Sequence, residues 1–476
     1  MKKFVWWFAI WFLSSQQSYA SGFSILELGG RAAGMGGAFA AVADDGSALF
    51  YNPAGISFQR GTRFEMDGFV VKGISHFFPT ATPRGTIVPE EGYNGIVSPK
   101  VQFLGNMYMT KELSSRWTAG FGMYSPNGLG DNWTNFNDSD PPGEKFVGRY
   151  AGNRGRMENI WLQPTLSYKL TDNSSFAIGP ALVYLHIMLE QSILNPLDDA
   201  KVFGEALAPL ILPDQDPVLA GRSIARLLPE GRARFAAKDF APGISFGYLY
   251  KHTASKTNLG AMWRSPVTFH LKGDASFAFT DDYPLRAFVG ADTIPNLFPK
   301  QAIKGAFTTP YTWAVGVANS AYWGSTFAVD LLFQNYARFK DIPINFTQTE
   351  GTATPPEVRF QFDFQNAFFL RTGWEKRLTE KTIVRAGYYY DKSAVPEKSV
   401  GPFFPDSSKH VGTVGASWQI GNKEISFFYQ GAKLLARDVQ VPENANLWTN
   451  GTYKTFFHLF GFGFRMRMGG ETIRTD

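Results

Sequence analysis

The chain has 476 residues, of which 44% are hydrophobic and only 18% charged, with no long apolar run to supply the ~20-residue helical spans of an inner-membrane protein. Aromatics reach 16%, with Phe 44, Gly 48 and Cys 0; this is the composition of an outer-membrane β-barrel, whose alternating strands give no hydropathy peak, and it excludes disulfides, thiolate metal sites and a cysteine nucleophile. The formal charge of +5 falls to +3 without Lys2 and Lys3, which is too weak to imply nucleic acid.

Residues 1–20 read as a secretory signal peptide. Lys2 and Lys3 precede an apolar run from Phe4 to Leu13, and Ser18-Tyr19-Ala20 follows as a small-residue cleavage end, making Ser21 the expected mature N-terminus. The run is about 10 residues, half of what a span needs. Residues 21–58 are rich in Gly and Ala and carry Phe23, Ile25, Leu26, Leu28, Met35, Phe39, Leu49, Phe50 and Ile56. They are too apolar to hang in the periplasm, and the place that buries them is the lumen of a barrel, as a plug.

From residue 59 to 468 the dominant signal is period-2 alternation. In 159–170, Ile160, Leu162, Leu166, Tyr168 and Leu170 point one way and Asn159, Gln163, Thr165, Ser167 and Lys169 the other. Short polar turns recur at 111–116, 170–174, 251–256, 319–325, 377–381 and 420–423, with a long connection between each and the next. That asymmetry is the mark of an outer-membrane barrel. Fourteen strands are predicted, at about 61–74, 98–110, 117–126, 158–170, 175–190, 238–250, 256–271, 309–319, 324–335, 363–376, 381–391, 410–420, 423–437 and 453–468. The fold class is therefore all-β, an antiparallel transmembrane barrel with an N-terminal hatch in its lumen and a short polar tail at 469–476. In 324–335, Phe327, Val329, Leu331 and Phe333 should meet lipid while Ala328, Asp330 and Gln334 line the lumen. In the last strand Phe456, Phe460, Phe462, Phe464 and Met466 form the lipid stripe, interrupted by His458.

Two long connections, 191–237 and 281–309, are too apolar for ordinary loops. They either pack on each other or offer a hydrophobic landing groove, with Phe203, Leu207, Leu210, Ile211, Phe288, Ile294, Leu297 and Phe298 as candidate ligand contacts.

The N-terminal motifs are more specific. Ser21-Gly22-Phe23, Gly34-Met35-Gly36-Gly37-Ala38-Phe39-Ala40, Ala43-Asp44-Asp45 and Asn52-Pro53-Ala54-Gly55 resemble the hatch of the FadL family of outer-membrane long-chain fatty-acid transporters. Phe121 to Gly130 with Trp133 resembles the family's third strand and its following loop, and Arg385 to Pro396 followed by Pro405-Asp406 resembles a late strand pair and its loop. The resemblance implies passive capture in an extracellular groove, transfer to a lumenal pocket and sideways exit through an inward kink of the third strand. It assigns Phe23, Asn52, Pro53 and Ala54 to the hatch and Ser125, Pro126, Asn127 and Gly128 to the gate. Pro126 cannot donate to a ladder and Gly128 favours a bulge, so pairing should break there in any case. Cations that could meet a carboxylate are Arg338, Lys340, Arg371 and Arg385, although lumen walls are polar without that role. Family members take up fatty acids or aromatic hydrocarbons of the toluene type, and the sequence leaves both open. No cofactor, metal or nucleic acid is implied. The expected partners are hydrophobic small molecules, outer-membrane lipid, lipopolysaccharide and the barrel-assembly machinery, with the chain a monomer.

Rival chemistries are weaker. Gly243-Ile244-Ser245-Phe246-Gly247 fits the hydrolase elbow pattern, but Ser245 lies inside an alternating strand rather than on a strand-to-helix turn. The six histidines lack metal-ligand spacing. A general porin would not need a greasy plug.

Overall fold

The computed structural model describes residues 22–79, 95–97, 102–134, 146–194, 227–280, 283–350, 352–441 and 449–468, together with 205, 208, 212 and 214–225. The expected signal peptide and C-terminal tail lie outside these. Fourteen antiparallel strands close into one barrel. They are β1 Thr62–Pro79, β2 Gln102–Glu112, β3 Trp117–Thr134, β4 Arg154–Thr171, β5 Ser174–Ile193 and β6 Gly231–His252. Four further strands are each broken in two: β7 Thr257–Arg264 and Thr268–Phe279, β8 Gln301–Thr308 and Thr312–Asn319, β9 Ser325–Gln334 and Asp341–Phe346, β10 Glu357–Gln361 and Ala367–Arg377. The last are β11 Thr382–Asp391, β12 Lys409–Ile420, β13 Lys423–Leu434 and β14 Gly451–Met468. β1 pairs with β14 along its whole length, from Thr62 opposite Met468 to Pro79 opposite Gly451, which leaves no free edge there.

Alternation sorts the two faces as the sequence suggests. On β9, Phe327, Val329 and Leu331 are exposed to the outside, while Ala328, Asp330 and Gln334 are buried in the lumen. His458 interrupts the lipid stripe of β14 with its polar edge satisfied, Nδ1 lying 2.7 Å from the Tyr429 hydroxyl.

Several strands run further than the alternation predicts, among them β6, which starts at Gly231 rather than 238, and β8, which starts at Gln301 rather than 309. The cause is a reversal of polarity. Along these upper segments Arg234, Lys238 and Lys304 point outward while Ala233, Phe235, Ile303 and Phe307 are buried inside. The pattern that means lipid outside lower down means water outside here.

Residues 22–58 fill the lumen, almost all of them buried. Two short helices, Gly30–Gly34 and Ala48–Tyr51, and a 3-10 turn, Pro53–Phe58, make up this hatch. So little regular structure leaves many backbone groups unpaired, and the polar lumen wall supplies the partners. Asp330 accepts from the amides of Phe39 and Ala40 at 2.6 and 2.7 Å. Gln430 donates to the Ala33 carbonyl, Gln163 to that of Leu49 and Ser175 to that of Ala54. Gly36 has φ +66°, and a β-carbon there would come within 2.9 Å of the Thr372 carbonyl, so only glycine lets this turn sit against the wall.

Candidate functional site: hatch tip, aromatic chamber and wall gap

Asn52 ties the hatch to the wall. Its Oδ1 accepts from Ala54 N, capping the 3-10 turn begun by Pro53, and its Nδ2 donates to the carbonyls of Ala40 and of Tyr248 on β6, at 2.7 and 2.9 Å. Below, Arg31 clasps Glu375 of β10 through two bonds of 2.6 Å and also pairs with Asp44. Burial opposes the Arg31 charge, but Asp44 and Glu375 outweigh it and hold the guanidinium protonated above its ordinary range. Arg385 reaches the same Glu375 at 2.6 Å and lies 3.6 Å from Glu424. Arg371 is fully buried, 3.2 Å from Asp391 and 3.8 Å from hatch residue Glu27. Of the candidate carboxylate-binding cations, Arg371 and Arg385 are thus joined to protein carboxylates. Arg338 and Lys340 lie apart from them, exposed in the break of β9.

The third strand departs from its neighbour. The ladder between β2 and β3 runs from Glu112 opposite Thr118 only as far as Met107 opposite Met123. Above it, β2 stays paired to β1 up to Gln102, while β3 shifts register against β4 between Tyr124 and Asn127. The hatch takes the vacated place. Ile25 N donates to the Pro126 carbonyl and Gly128 N to the Phe23 carbonyl, both at 2.8 Å, with Ser24 bridging Asn127. Ser125 to Gly128 therefore line a break in the wall that is covered from inside by Phe23 to Ile25. Higher up, the short strand Gly95–Val97 rejoins β3 at Trp133 and Thr134.

Beside this break Phe23 is fully buried in a cage of rings, with centroids 5.1 Å from Tyr336, 5.3 Å from Phe339 and 5.4 Å from Phe307. Phe364 and Phe404 close the cage, each 6.4 Å away. The tip is tethered at Gly22, whose N–H donates to Asp406 Oδ2 at 3.0 Å; burial raises the Asp406 carboxyl above the usual range, and this bond opposes the rise. Rings continue upward in steps of 5.5 to 6.4 Å, from Phe403 through Phe360, Phe235, Phe346 and Phe277 to Phe298.

Phe298 belongs to the loops. It packs with Leu194, Ala208, Ala220, Ile224, Leu285 and Ile294, so the two apolar connections do rest on each other. Phe288 remains 72% exposed on the outer side, and Leu297 is partly buried against the cluster. Phe203, Leu207, Leu210 and Ile211 lie outside the described residues. Ser245, in the hydrolase-like string, is buried in β6 and donates to the Gly179 carbonyl at 3.3 Å. Of the cage residues, Phe307 was expected in the apolar 281–309 connection and lies instead in β8, and Tyr336, Phe339, Phe364 and Phe404 were not singled out from sequence. Only Phe364 had a local signal, the alternating run Phe360, Phe362, Phe364.

A family model described as outer membrane protein transport protein (OMPP1/FadL/TodX) matches residues 11–467. The chain is 22% identical over 413 residues to putative outer membrane protein NMB0088 of Neisseria meningitidis serogroup B (strain ATCC BAA-335 / MC58), covering 86% of this chain and 84% of that one. Among solved structures it is similar to a Pseudomonas aeruginosa FadL homologue, at 17% identity and TM-score 0.73, over 94% of this chain and 100% of that one. The Ralstonia pickettii toluene transporter TbuX (16%, TM-score 0.64) and the P. putida toluene transporter TodX (18%, TM-score 0.64) each align over 94% of this chain and 99% of their own. These identities speak for the fold alone, whereas the family model spans the hatch and every strand. The chain belongs to the FadL/TodX family of outer-membrane transport proteins, channels for hydrophobic compounds rather than enzymes.

Proposed function

We propose that this protein admits hydrophobic compounds passively through a lateral door between β2 and β3, with long-chain fatty acids as the substrate class. The observation that carries the reading is the exchange of partners at β3: where the strand leaves β2, it pairs with the hatch tip that holds Phe23 in its aromatic cage. A ligand that displaces Phe23 from its cage would loosen the same segment that covers the break. The compound would land on the loop cluster around Phe298, follow the rings inward and leave sideways into the bilayer. Each methylene that leaves water gains about 0.8 kcal/mol, so graded apolar sites guide an acyl chain without an energy source.

A second reading, uptake of neutral aromatic hydrocarbons, is favoured by one specific observation. Arg371 and Arg385, the buried cations best placed for a carboxylate, already hold Asp391 and Glu375. The test is mass spectrometry of whatever small molecule co-purifies with the detergent-solubilised protein, with titrations of a long-chain fatty acid and of toluene. Saturable binding of the fatty acid alone supports the first reading, saturable toluene binding alone the second, and binding of neither refutes both.

A further inference from the structure

On the outer surface of four adjacent strands, β12, β13, β14 and β1, six basic or imidazole side chains gather in neighbouring register rows. Lys72 of β1 is opposite His458 of β14. In the next row Ile74, Phe456, Lys433 and His410 lie side by side across the four strands, and above that His76 is opposite Lys454. With strands about 4.8 Å apart and rows about 7 Å apart, the group covers a patch of roughly 14 by 14 Å. Lys72, Lys433, Lys454 and His410 are exposed, and none of the three lysines has an ion pair among the described residues.

Two features make this more than scattered surface charge. His410 Nδ1 is held 2.6 Å from the Tyr388 hydroxyl, His458 likewise by Tyr429, and Lys454 stands over the Phe78 ring at 5.4 Å, so the polar groups are fixed among aromatic rings. Among the described residues no acid is paired with these lysines; Asp438, in the next row on this face, takes a hydrogen bond from Thr452. The wall formed by β4 to β6 is built differently, since there Glu158 takes Arg156 and approaches His186 at 3.4 Å, and Glu190 lies 3.6 Å from Arg232.

The height of the patch identifies its partner. Near the lower end of the wall, Lys423 is opposite Met466. His458 lies eight residues further along β14 (466 minus 458), which at ~3.4 Å per residue and a tilt of ~40° is about 21 Å, and the row of Phe456 and Lys433 is about 26 Å up. The apolar band of such a barrel is about 25 Å tall. Outward residues between the two levels are Phe460, Phe462 and Phe464. The lysines therefore stand where the acyl chains of the outer leaflet meet its head groups, a height at which long stems can lie on apolar wall with their charges in the head-group layer.

We infer that this patch binds the phosphorylated head group of an outer-leaflet glycolipid of the lipid A type, its phosphates against Lys72, Lys433 and Lys454 and its acyl chains against the phenylalanines below. Lysines with no ion pair among the described residues, at the polar boundary of an apolar wall, complement a lipid whose charges are anionic and lie at that level. The site is independent of the route through the lumen.

The test is native mass spectrometry of the full chain in detergent, titrated with bisphosphorylated lipid A, with its dephosphorylated form and with inorganic phosphate. The wild type should retain bisphosphorylated lipid A and neither of the other two. The triple variant Lys72→Gln, Lys433→Gln, Lys454→Gln should lose at least tenfold in apparent affinity, since each lysine near an anionic surface is worth about fivefold. The triple Lys→Arg variant should keep binding, which separates loss of charge from loss of fold. Equal retention of dephosphorylated lipid A, equal occupancy by free phosphate alone, or unchanged binding by the glutamine variant would each overturn the assignment.

Discussion

Replacing Phe23 with alanine removes the ring that fills the cage beside the wall break and leaves the backbone pairing of the tip in place. In the closed state that ring is wholly buried among Phe307, Tyr336 and Phe339. Displacing it costs about 2 to 3 kcal/mol of apolar burial, and the two hydrogen bonds to Pro126 and Gly128 add about 1 kcal/mol each. Opening by roughly 4 kcal/mol keeps the door shut in all but about one molecule in a thousand. Loss of the ring takes about 2 kcal/mol from that gap, which raises the open fraction about 30-fold. Initial uptake of a radiolabelled apolar compound by intact cells should rise by up to that factor, while Phe23→Leu, which keeps most of the volume, should change it little. Heat-modifiable gel mobility checks that the barrel is folded. Uptake unchanged within a factor of two in folded Phe23→Ala protein would refute the role of the ring as a door.

Gly128→Val should act in the other direction, because a β-carbon there meets Ile25 at 2.7 Å and the larger side chain fills the break; uptake should drop severalfold with the barrel intact, and normal uptake would count against the gate. Arg31→Ala removes the cation that joins the hatch to Glu375, which keeps Arg385, and frees the part-exposed Asp44; it should loosen the hatch and raise ion conductance in planar bilayers above the wild-type level, and unchanged conductance would count against this anchor. Arg385→Ala breaks a second contact to Glu375 and should likewise weaken hatch anchorage, whereas Lys340→Ala should leave conductance at the wild-type level. If Lys340 meets a substrate carboxylate, its loss lowers fatty-acid affinity and spares toluene affinity in paired titrations; equal effects on the two ligands would remove it from consideration.

Much of the barrel was legible because the membrane imposes a simple rule on each strand. Lipid outside and a polar lumen inside force strict alternation, as at Phe327 to Gln334, and the short turns at 172–173 and 421–422 punctuate it. The rule stops at the head groups. Beyond them the outer face of β6 carries Arg234 and Lys238 and the inner face Phe235, so alternation persists with opposite meaning and the strand ends were placed too low. The hatch was legible as a buried segment from its apolar content, but its partners were not, since Asp330 meeting Phe39 and Ala40, or Arg31 meeting Glu375, joins residues hundreds of positions apart. The same distance hid the cage. Nothing local marks Phe307, Phe339 and Phe404 as neighbours of Phe23, and only closure of the barrel brings them together. Pro126 and Gly128 announced that a ladder must break; that the hatch tip would replace the missing strand was not written in either motif.

The central claim, that the hatch tip is the movable cover of a lateral door, is open to a direct mechanical test because the chain has no cysteine of its own. Ser24 and Asn127 are bridge partners across the break, a placement that suits a disulfide, so the double variant Ser24→Cys, Asn127→Cys can be locked by oxidation and released by reductant. Uptake of the apolar compound should stop when mass analysis shows the bond closed and return when it is reduced. Full uptake through the locked protein would contradict the account.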